Sequence, residues 1–121
     1  MKIGPPILLL LAAVGMAAGG SSRLSIKVSP AQALAPAFVR IQATVHPDAE
    51  NRALRVVAQS DDFYRATEIQ IEGDRGPSVR VVEFPGLPSG LYHVDVFLLG
   101  SVGQRAAASA LVRVASSPGQ R

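Results

Sequence analysis

His93 and Asp95 are the residues of this chain best placed to do chemistry. They stand two positions apart within a stretch of alternating apolar residues, Tyr92, Val94, Val96 and Leu98. Successive side chains of a strand point to opposite faces, so His93 and Asp95 leave the same face about 7 Å apart. An imidazole beside a carboxylate can act as a base with its orienting acid, or as two ligands of a metal. Either use needs a third group. His46 falls in a distant turn cluster and Ser109 on a following strand, and no spacing ties them to His93 as a triad or a metal set. The reading preferred is a solvated His/Asp pair on an outer sheet face. No catalytic, cofactor-binding or metal-ligating residue is assigned.

The acids Asp48, Glu50, Asp61, Asp62, Glu72 and Asp74 fall in turns or near strand ends, where a calcium site can assemble from several loops. They follow no calcium-loop signature, and aspartate is a common turn former because it hydrogen-bonds its own backbone. The chain carries 12 basic and 9 acidic residues, with the arginines spread along its length. A nucleic-acid binder gathers such charge into a stripe with stacking aromatics, so no nucleic-acid role is expected.

The elements that must position these groups follow from alternation and turn residues. Residues 1–20 read as a secretory signal peptide. Lys2 precedes an apolar run from Ile7, and small residues follow from Gly15 to Ser22. The run is too short to span a bilayer, which takes about 20 apolar residues. The expectation is an exported protein, periplasmic or secreted, with no stable membrane anchor after cleavage. There is no cysteine, so the core must hold by apolar packing alone.

Residues 21–115 then read as one all-β domain of seven short strands, and 116–121 as a flexible tail. The strands begin with Leu24, Ile26 and Val28. Next come Phe38 to Val45, Ala53 to Gln59, Ala66 to Ile71 and Ser78 to Phe84, and the last two are Leu91 to Leu99 and Gln104 to Val114. Pro30 and Pro36 mark a restricted connection between the first two. Ala106 to Ala110 has helical propensity, but Val112 and Val114 continue a two-residue period, so the segment reads as strand.

The corner Phe84-Pro-Gly-Leu-Pro-Ser-Gly-Leu-Tyr-His-Val-Asp-Val resembles the corner that opens strand F in immunoglobulin-like and fibronectin type III-like domains. It is also similar to corners of bacterial secreted prealbumin-like modules. The resemblance implies a seven-stranded antiparallel sandwich and places Tyr92 where a tyrosine hydroxyl reaches back to corner backbone. The chain departs from antibody-type domains in having no cysteine and no tryptophan.

In that strand order Val57, Phe97, Leu99 and Leu111 would share the outer face of one sheet, rimmed by Arg55, His93, Asp95 and Arg113. An apolar patch with a charged rim is the signature of a partner surface. The expected function is therefore a non-enzymatic module that binds an unknown protein partner or itself. Phe63 and Tyr64, in the loop after the third strand, provide a further contact. One of them is expected to plug the core and the other to serve a glycan or cell-envelope ligand. A spacer domain without ligand is the remaining alternative.

Overall fold

The computed structural model describes residues 23–117, and the segment read as a signal peptide lies outside the described residues. The described chain is all-β, without a helix, and folds into two sheets. The strands are β1 (Leu24–Ser29), β2 (Gln32–Leu34), β3 (Ala37–Val45), β4 (Asn51–Gln59), β5 (Tyr64–Gln70), β6 (Val79–Leu87), β7 (Gly90–Gly100) and β8 (Gly103–Ala115). One sheet has the order β1-β3-β6 and the other β2-β8-β7-β4-β5.

Two features correct the seven-stranded antiparallel expectation. There are eight strands, and the five-stranded sheet is mixed, because β2 runs parallel to β8 in the register Gln32 to Arg113 and Leu34 to Ala115. With only three residues between two prolines, β2 is too short to show a period. Its pairing is also with the far end of the chain rather than across a hairpin, so no local turn signal announces it.

The core lies between the two sheets, and strand alternation builds it. Val39, Ile41, Ala43 and Val45 of β3 face Leu54, Val56 and Ala58 of β4 and Tyr92, Val94, Val96 and Leu98 of β7 across a dry layer. Small residues on β8, Ala106 and Ala108, lie opposite Leu98 and Val96 in the register, which leaves room for the larger side chains of the three-stranded sheet. Each large apolar side chain taken wholly out of water contributes about 1.5–3 kcal/mol. That is sufficient for a fold with no covalent staple.

Where the sandwich opens at β5 and β6, two guanidinium groups cross between the edge strands. Arg65 Nη1 donates to the Pro85 carbonyl at 2.8 Å, and Arg80 Nη1 donates to the Gln70 carbonyl at 3.4 Å. At the end of the molecule formed by the β3–β4 and β7–β8 connections, Asp48 accepts from the Glu50 amide at 2.8 Å and from Arg105 Nη2 at 2.9 Å. The Glu50 amide, aided by the Arg105 guanidinium, holds the Asp48 carboxyl below its ordinary value.

A carboxyl lowered on folding adds stability above its unfolded pKa and loses it as pH falls through the folded one. Stability is therefore expected to drop on acidification below the ordinary carboxylate range. In the Asp48→Asn variant that portion of the drop is expected to vanish, which urea melts at neutral and acid pH would show. Equal pH slopes for the two proteins would contradict it.

Candidate functional site

The concave surface with the most chemistry is a cleft of about 270 Å³ at one end of the five-stranded sheet. It is lined by Gln59 at the end of β4, Ser60 to Asp62 of the β4–β5 connection, Ser89 to Leu91 at the β6–β7 corner, and His93. Both walls are fixed by the core beneath them. On one side the Ser60 amide donates to the Phe63 carbonyl at 2.8 Å, which closes the connection into a tight turn. Phe63 is half-buried and stands edge-on to the Tyr92 ring, with centroids 6.2 Å apart, while the Arg65 guanidinium lies 5.2 Å from the Phe63 ring centre.

On the other side the Tyr92 hydroxyl donates to the Pro88 carbonyl at 2.8 Å and fastens the corner. Burial raises the Tyr92 pKa, while a hydrogen bond with the Ser60 side chain acts against that rise. Gly90 completes the mouth. A Cβ at this position would stand 3.2 Å from Ser60 Cβ and 3.3 Å from its hydroxyl oxygen, so only glycine lets the two walls approach without crowding.

The register of the five-stranded sheet places the strand residues expected at a site. On the outer face Gln59, His93 and Leu111 form one row across β4, β7 and β8; the next rows are Val57, Asp95, Ser109 and then Arg55, Phe97, Ala107. Ser109 Oγ donates to Asp95 Oδ1 at 2.7 Å. Asp95 and Ser109 are thus brought together, with the hydroxyl given to the carboxylate rather than to the histidine. His93 sits one row away, toward the cleft.

Val57 is buried, Phe97 and Leu99 are half-buried, and Leu111 is exposed, with the Asp95–Ser109 pair standing in the row between Leu111 and Phe97. Arg55 lies opposite Glu68 on β5 and Arg113 opposite Leu91 on β7. Of the two loop aromatics, Phe63 packs against the core and Tyr64 is exposed.

His46 belongs to the other end of the molecule. The nine-residue strand β4 lies between His46 and the row of His93, a separation of about 26 Å along the sheet. Among the described residues no group of three histidine, cysteine, aspartate or glutamate side chains is arranged to hold a metal.

Gln59, Ser60, Ser89, Gly90 and Leu91 were not distinguishable as site residues in the sequence. They converge only through long-range pairing of β4 with β7. The serine and glycine content of the corner signalled a turn but not the cleft beside it.

No family model matches the sequence, and no curated protein is similar to it at a significant level. Among solved structures the fold is similar to the superoxide reductase (neelaredoxin) of Ignicoccus hospitalis. The TM-score is 0.57 at 11% identity, covering 78% of this chain and 82% of that one. A threonine-to-lysine variant of the same protein matches with a TM-score of 0.54 at 12% identity, covering 74% of this chain and 78% of that one. At such identity the likeness is one of fold.

It nevertheless corrects two expectations. The corner around Tyr92 does not place the chain among immunoglobulin-like, fibronectin type III-like or prealbumin-like domains, since the matched sandwich is that of a superoxide reductase. A proline-rich turn fastened by a tyrosine solves a local problem of chain reversal and does not encode a family. The expectation of a non-enzymatic binding module falls with it, because the same sandwich serves a protein named as a reductase. Absence of a catalytic motif from this fold is no ground for classing the chain as a non-enzyme.

The residues present do not fit a resident redox metal. The chain has two histidines and no cysteine, with His46 in the β3–β4 connection and His93 on β7 beside the far end of β4. Soft or imidazole ligands must converge within about 2.0–2.3 Å of one ion.

Proposed function

We propose that the cleft between the β4–β5 connection and the β6–β7 corner is the working site of the protein, and that it takes a small, positively charged polar molecule. The observation that carries this reading is the lining. Asp61 and Asp62 offer two carboxylates, Ser60 and Ser89 two hydroxyls and His93 an imidazole around one concave space, with Leu91 as the apolar surface. Among the described residues neither aspartate takes part in an ion pair, so a ligand cation meets carboxylates that no guanidinium has neutralised. The volume is just below that of drug-sized ligand sites and suits a compact ligand. Charge-assisted hydrogen bonds from an ammonium or guanidinium group to a carboxylate supply affinity and direction.

Titration with 1,4-diaminobutane and with guanidinium, followed by amide NMR, tests the reading. Shifts are expected at Gln59 to Asp62, Ser89 to Leu91 and His93, weakening as salt is added. The double change Asp61→Asn with Asp62→Asn should reduce affinity by about tenfold or more, the equivalent of at least ~1.4 kcal/mol. Shifts confined to a second, shallower groove of about 200 Å³ lined by Arg55, Ala66, Thr67 and Glu68, or equal affinity in the variant, would overturn it.

A further inference from the structure

At the end of the molecule opposite the cleft, Asn51 is the buried polar side chain of the described core, 1% exposed. Three of its four polar groups are occupied by the chain. Its amide donates to the Asp48 carbonyl at 3.1 Å, its carbonyl accepts from the Gly73 amide at 3.1 Å, and its Nδ2 donates to the His46 carbonyl at 3.0 Å. Its side-chain oxygen Oδ1 is buried and has no partner among the described residues. An amide oxygen left unbonded inside a protein costs about 1–3 kcal/mol.

Beside Asn51 lies a small pocket of about 10 Å³, partly open to solvent and lined by Val45, Pro47, Ile71 and the β5–β6 connection from Gly73 to Ser78. This is the volume one water molecule needs for its centre. The wall is mixed. Val45, Ile71 and the prolines are apolar, whereas Asn51, Asp74, Arg75, Ser78 and the backbone of the 73–78 segment add polar groups to the lining.

We infer that this pocket is a binding site for one ordered water, which donates to Asn51 Oδ1 and bridges it to the backbone of the β5–β6 connection. The water completes Asn51 as the point where the β3–β4 connection, strand β4 and the β5–β6 connection are tied. A neutral donor fits better than a cation. A calcium ion takes six to eight oxygen ligands, and this wall carries a single carboxylate, Asp74, next to the guanidinium of Arg75.

Two measurements on the full chain test the inference. A high-resolution crystal structure is expected to show one water with two to four nitrogen or oxygen partners at about 2.7–3.2 Å. Water-to-amide exchange-filtered NMR is expected to show a long-lived water near Gly73 that is lost in Asn51→Leu. If that variant does not fold, Asn51→Ser provides the second comparison, with the water retained on the shorter hydroxyl or replaced by a second water. Absence of a water in both measurements, a flipped Asn51 amide whose oxygen meets a protein donor, or a metal ion at ~2.4 Å would each overturn it.

Discussion

Tyr92→Ala is expected to lower stability by about 3–5 kcal/mol, the cost usual for deleting a large aromatic side chain from a core. The ring is fully buried, meets Phe63 edge-on and carries the hydroxyl that fastens the corner to Pro88. Tyr92→Phe separates the parts. It keeps the ring and its packing and removes only the hydroxyl and its hydrogen bond to Pro88, so about 1 kcal/mol is expected. Urea midpoints of the two variants measure both terms. If alanine cost no more than phenylalanine, the ring would contribute nothing to the core, and the account of both cleft walls resting on it would fail.

The next largest effect is expected at Gly100, the partner of Asn51 in the β4–β7 register. A Cβ there would stand 2.6 Å from Arg105 Cδ and 2.9 Å from the Glu50 carbonyl oxygen, both closer than real contacts permit. Gly100→Ala must therefore push the Arg105 side chain off its path and loosen its bond to Asp48, at an overall cost of about 1–3 kcal/mol. Arg105 is the movable obstacle and the Glu50 backbone the fixed one. In an Arg105→Ala background the cost of Gly100→Ala is expected to shrink without vanishing. Strict additivity of the two changes in chemical denaturation would show that the guanidinium stem is not what occupies the space over Gly100.

The stretch from Leu91 to Leu99 shows how much of this molecule could be read without coordinates. Alternation there named Tyr92, Val94, Val96 and Leu98 as one face, and these four are fully buried. A period of two is a local property that a sequence carries openly. The same stretch could not say what sits beside His93. That depends on which strand lies next to β7 and in what register, and Gln59 reaches it from more than 30 positions away.

Asp95 illustrates the difference from the opposite side. Its spacing suggested a partner in His93, whereas the β7–β8 pairing supplies Ser109. Asn51 lay in a run of turn-forming residues, His46 to Arg52, with nothing in its type to mark it as the buried member. Strand β2 escaped notice for the related reason that its partner is a segment about 80 positions downstream. Fold class was legible because it sums many local signals. The cleft was not, since it is made where distant segments meet.

The two arginine bonds across the open side of the sandwich bear on how the protein behaves in a crowd. A free strand edge is a template on which a foreign strand can grow by main-chain pairing, the first step toward fibrils. Carbonyls of Pro85 and Gln70 already accept from Arg65 and Arg80, and each guanidinium adds charge and bulk where an incoming chain would have to lie. A foreign strand growing along that side would have to displace a guanidinium at each of these two carbonyls before it could pair with them.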